Sequence, residues 1–283
     1  MRHPFKALIQ HAKQHGYAVP AINVSNYETM MGVFSAASEK ASPVIVQVAT
    51  IQLTAQKMTW PEFMALIELA ERRYPEVLYA LHLDHATTIS MCEEAIAQGF
   101  DSVMFDASAK PLQDNINETQ QLRHKYPHLS IEAEVGALGA EEGQHHTTHT
   151  VTYTQPEDAI QFAKQVDVQG LAVAIGNAHG FYKGEPDLQF DVLKTIHDAI
   201  PEVPLVLHGA TGLSPEMIRA CIQLGMHKVN FFTRCDYAFT QAFCDTIKQG
   251  KYMMFAQQAG QKAFQEEAQT VMEICLSEGK AWV

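Results

Sequence analysis

The sequence predicts an α/β protein, a (β/α)8 TIM barrel with extra C-terminal helices, and three observations carry that expectation. Short β-branched or apolar segments alternate with longer stretches of helical periodicity, the signature of βαβ units around a parallel sheet. Eight such segments can be counted, and several are continuous apolar runs such as LAVAI and PLVL, as in strands covered on both faces. No GxGxxG follows the first segment, which removes the dinucleotide-binding form of an open doubly wound sheet.

The expected strands are residues 17–23, 43–49, 77–83, 102–106, 130–135, 170–175, 204–208 and 227–230. Between them lie the amphipathic stretches YETMMGVFSAASEKA, WPEFMALIELAERRY, SMCEEAIAQGF and SPEMIRACIQLG, often preceded by Ser, Thr or Asp as an N-cap. One loop breaks the rhythm: GALGAEEGQHHTTHTVTYTQ, from Gly136 to about Gln155, lacks apolar periodicity and is long for a βα connection, so a mobile active-site lid is expected, with a disordered insertion as the alternative. After Asn230 the chain reads as two or more helices ending in AFQEEAQTVMEICL, suited to closing the barrel or reaching a neighbouring subunit.

Bulk properties fix what the barrel is not. With 283 residues and 47% hydrophobic content, one domain over residues 1–283 is expected. A formal net charge of −12 argues against a nucleic-acid surface or an anionic membrane, so any phosphate must be bound locally. The beginning lacks the apolar core of a signal peptide, and no apolar run approaches a membrane span; a cytoplasmic protein is expected. Five scattered cysteines without a CxxC pair read as free thiols.

Chemistry gathers where the expected strands end, the face of a parallel barrel that carries catalysis. Strand three ends in HLDHAT, strand six runs into AIGNAHG and strand seven ends in VLHGATG. His85, His179 and His208 can therefore converge as neutral imidazoles around one divalent ion, with a catalytic zinc as the natural choice. A single histidine at such a position is usually ordinary packing; three at equivalent positions, two followed by glycine, are not. His82 shares a strand face with Asp84 and reads as barrel packing or a group behind the ligands. Asp84, at the tip of its strand, can exchange a proton with a substrate hydroxyl, or else orient a histidine. Asp106 and Glu134 place further carboxylates on the same face, for a second or alternative metal position or for electrostatic tuning. The glycine-containing turns 178–180 and 208–212 suit an anion cradle, with Lys228 or Arg234 expected to supply the positive charge.

At this point the sequence resembles the class II ketose-bisphosphate aldolases, which include fructose- and tagatose-bisphosphate aldolases. The blocks YAVPAINVSN, SPVIVQ, HLDHA, SVMFDAS, IEAEVGALGAEEG, LAVAIGNAHG, PLVLHGATGLS and LGMHKVN follow the family's order over nearly the whole chain. The resemblance implies a zinc-dependent lyase that cleaves a phosphorylated ketose, a 1,6-bisphosphate or a 1-phosphate, to glycerone phosphate and an aldehyde through a metal-stabilised enediolate. It implies His85, His179 and His208 as zinc ligands, Asp106 and Glu134 for a second zinc, Asp84 as acid/base at the C4 hydroxyl, and Glu142 as the mobile proton carrier on carbon. It further implies that Gly180, Gly209, Ala210, Thr211, Asn230 and Thr233 bind glycerone phosphate, that Asn23 lies near the reacting carbons, that Na+ or K+ sits near the phosphate, and that the protein is a homodimer or homotetramer. No Schiff-base lysine is required, although Lys228 stands at the eighth strand.

Three departures bear on substrate. Ala49, Thr50 and Ile51 replace the family's usual hydroxyl residue and following glycine; Phe231, Phe232, Thr233 and Arg234 replace its usual continuation after the asparagine; and no arginine follows Arg234, where bisphosphate aldolases carry one for the distal phosphate. A ketose 1-phosphate with a neutral or carboxylate tail is therefore a competitor to a bisphosphate, with Arg234 expected to read the tail. Two other functions stay open: a non-catalytic aldolase-like partner subunit, expected to lose part of this constellation, and a zinc hydrolase, expected to carry HxH on the first strand where this chain has Pro20, Ala21, Ile22 and Asn23.

Overall fold

The structure is a computed structural model that describes residues 1–136, 153–182 and 184–282. Eight parallel strands close in sequence order into a barrel, β1 pairing with both β2 and β8. They are β1 (Val19–Asn23), β2 (Val44–Ala49), β3 (Tyr79–Ala86), β4 (Ser102–Phe105), β5 (Ser130–Val135), β6 (Gly170–Val173), β7 (Leu205–Leu207) and β8 (Met226–Phe231). Among the described residues the helices are α1 (Phe5–His15), α2 (Tyr27–Lys40), α3 (Thr50–Gln56), α4 (Trp60–Arg73), α5 (Ile89–Ala97), α6 (Leu112–Lys125), α7 (Pro156–Gln165), α8 (Phe190–Ala199), α9 (Pro215–Gln223), α10 (Thr233–Lys248) and α11 (Met253–Ile274). Each expected strand is present, and the expected C-terminal helices are α10 and α11, which pack on each other, with α11 also on α2.

Helix starts follow local chemistry. Asn26 accepts from the Thr29 N–H while Thr29 Oγ1 accepts from the Asn26 N–H, a reciprocal cap on α2; Thr88 and Ser214 cap α5 and α9. The apolar faces of the helices cover the outside of the barrel, where Val46, Leu81, Val103, Ile131, Leu171 and Val229 belong to one continuous core.

Inside the barrel, the two-residue period of the strands sorts the side chains into layers. The lowest layer is apolar: Val19, Ala21, Ile45 and Ala80 meet Phe5, Leu8 and Ile9 of α1, which plugs the N-terminal end. One step up, Gln47, His82, Glu132 and Lys228 are all fully buried. A further step along β3, β5 and β8 brings Asp84, Glu134 and Asn230 to the catalytic end, where His208 follows β7. This progression from apolar plug to polar mouth positions the site.

The sequence places the end of the third strand at residue 83, but β3 continues through Asp84 and His85 to Ala86. Alternation alone would point these two neighbours to opposite faces of the sheet. The β3–β4 register shifts between Leu83 and Ala86, and His85 adopts φ 46°, a left-handed backbone rare for a residue with a side chain. That local irregularity brings both Asp84 and His85 to the mouth.

Candidate active site

The mouth of the barrel opens into a cavity of about 410 Å³, lined among others by Asn23, Gln52, Asp84, His85, His179, Gly180, Gly209, Thr211, Asn230 and Thr233. Ligand atoms of His85, His179 and His208 all lie within 4.8 Å of one another. His208 Nδ1 stands 3.1 Å from His85 Nε2. Neighbouring ligand atoms on a tetrahedral zinc with ordinary Zn–N bonds are about 3.3 Å apart, so the spacing suits a shared ion. His85, Asp106 and Glu134 form a second such group, also within 4.8 Å.

Carboxylates behind two of the histidines set which ring nitrogen carries the proton. His85 Nδ1–H donates to Asp106 Oδ2 at 3.0 Å, which turns Nε2 toward the centre. His208 Nε2–H donates to Glu132 Oε1 at 2.9 Å, which leaves Nδ1 for the centre. Burial holds the His208 pKa well below its ordinary value, and burial together with the charge of His85 pushes His179 down to about 4. Both are neutral at pH 7, the form that binds a metal. Burial alone would raise the Asp106 carboxyl, but the hydrogen bond and charge of His85, with Ser108, outweigh it and hold Asp106 below the ordinary carboxylate range.

Asp84 is held by amides. Asn23 Nδ2 donates to Asp84 Oδ2 at 2.8 Å, Gln47 Nε2 to the same oxygen at 3.2 Å, and Asn230 Nδ2 to Oδ1 at 3.3 Å. Asn230 is fixed in turn by Lys228, whose Nζ donates to its Oδ1 at 2.7 Å. Three donors on one carboxylate fix its orientation at the edge of the cavity.

The glycine turns make one wall. Gly209 adopts φ 66°, and a Cβ there would lie 2.3 Å from the Ala178 carbonyl oxygen, so the close approach of the two loops requires glycine. Asn177 Nδ2 donates to the His208 carbonyl at 2.9 Å, and the Tyr182 hydroxyl donates to the Gly209 carbonyl at 2.9 Å while accepting from the Ala178 N–H. Gly180 and Thr211 face the cavity; Ala210 is buried in the 3-10 turn Ala210–Gly212 beneath it.

The model of the class-II fructose-bisphosphate aldolases matches residues 3–280. The chain belongs to that family. Among solved structures, the YdjI aldolase from Escherichia coli K12 is 30% identical, with a TM-score of 0.87 and 100% of both chains covered. The fructose-bisphosphate aldolase of Campylobacter jejuni, 22% identical over 99% of this chain and 97% of that one, shares the fold with a TM-score of 0.79. This class II enzyme is thus an aldolase, a carbon–carbon lyase.

Not every expected residue of the aldolase meets the cavity. Glu142 lies outside the described residues. Arg234, expected to read the substrate tail, is in the first turn of α10 but its guanidinium pairs with Glu267 of α11, and it is not among the residues lining the cavity. Lys228, expected as a phosphate-facing cation, is fully buried in the barrel, 2.8 Å from Glu132 Oε2. Sequence reading missed Glu132, Gln47 and Gln52. Glu132 was findable, since it precedes Glu134 by one strand period and a carboxylate inside an apolar strand demands a partner. Gln52 carries no comparable signal, because α3 itself was not expected.

Proposed function

We propose that this aldolase is zinc-dependent, with His85, His179 and His208 as ligands, and that it reversibly cleaves a phosphorylated ketose to glycerone phosphate and an aldehyde. The convergence of three imidazoles beside the amide-held Asp84 carries the reading. Bound there, zinc supplies Lewis-acid stabilisation of the negative charge that develops as the C3–C4 bond breaks.

The chain's own residues do the rest. Asp84 takes the proton of the C4 hydroxyl, held in place by Asn23, Gln47 and Asn230. Gly180, Gly209, Thr211 and Thr233 form the wall proposed to receive the phosphate, with backbone N–H groups as donors. Glu142 is assigned the proton transfer at C3 of glycerone phosphate, as the family resemblance implies. Asp106 and Glu134, with His85, suit an alternative metal position, and a Na+ or K+ ion beside the phosphate belongs to the same reading.

No helix among the described residues is long and apolar enough to cross a membrane. The free cysteines, four of five buried, fit a reducing cytoplasm. Exposed Tyr252, Met253, Met254 and Phe255 at the start of α11 support a homodimer or homotetramer.

Chelation followed by zinc add-back tests the reading. Cleavage of a ketose phosphate is expected to vanish and return, and borohydride added with substrate is expected to leave activity intact. Covalent trapping at Lys228 would instead establish a Schiff-base enzyme.

A further inference from the structure

Resting on the aldolase reading above, we infer that the substrate is a ketose 1-phosphate with an uncharged polyhydroxy tail, and that Gln52 reads a hydroxyl of that tail. The order of strands around the barrel divides the cavity into sectors. β6, β7 and β8 with the turns that follow them carry Gly180, Gly209, Thr211 and Thr233, and β3 carries Asp84 and His85. The sector over β1 and β2 carries Ser25, Ala49, Ile51, Gln52, Ala55 and Gln56. A phosphate in the first sector and a C4 hydroxyl at Asp84 direct C5 and the carbons beyond it toward this last sector. Asn23 marks the path: its Nδ2 donates to Asp84 Oδ2 at 2.8 Å and lies 3.4 Å from Gln52 Oε1.

The chemistry of that sector is neutral. Among the described residues lining the cavity there is no lysine or arginine, while Asp236 adds a carboxylate. A second phosphate, or a carboxylate, entering a partly desolvated site calls for a cation or a fork of charged donors. Two nearby cations among the described residues are committed elsewhere, Lys228 to Glu132 and Arg234 to Glu267. Hydroxyl groups, by contrast, are satisfied by amides and a serine, which the sector supplies.

Gln52 is built for this task. Its Oε1 accepts from the Ala49 N–H at 2.8 Å, and since a backbone N–H can only donate, this fixes which way the amide lies. The Nε2 group is therefore turned away from the backbone; it hydrogen-bonds to no described residue, and the side chain, 8% exposed, lines the cavity. The bond from the last residue of β2 to the first turn of α3 holds this donor rigidly.

The test measures glycerone phosphate release by the zinc-loaded enzyme from ketose 1-phosphates and 1,6-bisphosphates of both C4 configurations, with a 5-deoxy 1-phosphate included. The expected result is a kcat/KM at least about tenfold higher for the best 1-phosphate than for any bisphosphate. Loss of the 5-hydroxyl is expected to cost about tenfold in the wild type and almost nothing in Gln52→Met. That ratio, taken within one variant, does not depend on how much of the variant is folded. Preference for a bisphosphate, or an unchanged 5-deoxy ratio in Gln52→Met, overturns this inference and leaves the aldolase reading intact. Absence of zinc-dependent cleavage across the whole panel overturns both.

Discussion

The Nε2–H of His208 donates to Glu132 Oε1 at 2.9 Å, and that bond decides which nitrogen of His208 faces the other histidines. With Nε2 protonated, the Nδ1 lone pair is left 3.1 Å from His85 Nε2. Lys228 Nζ, 2.8 Å from Glu132 Oε2, offsets the charge of the carboxylate, and the side chains of His208, Glu132 and Lys228 are all fully buried. Behind the proposed metal centre there is thus a second tier that selects a tautomer.

Glu132→Gln is expected to weaken zinc binding by about 10–100-fold, the usual effect of removing an oriented carboxylate behind a histidine ligand. Competition with a chromophoric chelator measures it. The same change leaves Lys228 buried without its counter-charge, at a cost of about 3–5 kcal/mol in stability. A wild-type zinc Kd would show that Glu132 serves the barrel and not the metal.

Asp84→Asn keeps the shape of the site but removes the proton acceptor. The expectation is a fall in kcat of about 10²–10⁴-fold with zinc content unchanged. Exchange of the C3 proton of glycerone phosphate, which needs no base at C4, is expected to persist. Equal loss of both reactions would assign Asp84 to structure.

Acid is expected to destabilise the metal-free protein through histidines kept neutral by burial. His227, packed under Tyr17 away from the metal centre, is pushed down to about 4 by burial, from an ordinary 6.5. Between those values the unfolded chain binds more protons than the folded one, so stability is full above about 6.5 and is lost as pH falls toward 4. The slope is about 1.4 kcal/mol per pH unit for each such histidine. Urea unfolding from about pH 7 to about pH 4.5 measures it, and His227→Gln is expected to flatten the curve; an identical curve for the variant would exclude His227 as a contributor.

Arg234→Ala is expected to change kcat/KM by less than about twofold whatever the tail of the substrate, because its guanidinium is held by Glu267. Loss of that partly exposed pair is expected to cost about 1 kcal/mol or less in chemical unfolding. A tail-dependent loss of activity would return Arg234 to the substrate.

Much of this was legible in the residues themselves. Short β-branched or apolar segments between helical stretches located all eight strands, and the ends of strands three, six and seven pointed to His85, His179 and His208, which the fold gathers. Three features were not legible. The irregularity at Leu83–Ala86, which lets Asp84 and His85 point the same way, depends on pairing with β4, a partner remote in sequence. The orientation of Arg234 likewise depends on where α11 returns to meet α10, and a charge near a site by sequence number says nothing about which neighbour satisfies it. The neutral wall of α3 shares this origin: it packs against β2 and β3, and only the closed barrel makes it part of the mouth.

The most direct test of the central claim is a zinc titration of metal-free protein, read by coupled detection of glycerone phosphate release from ketose phosphates. Activity is expected to rise from zero and to saturate at about one zinc per chain, and His179→Ala is expected to abolish the rise. Full cleavage by the metal-free protein, or by His179→Ala, would contradict a catalytic metal held by the three histidines.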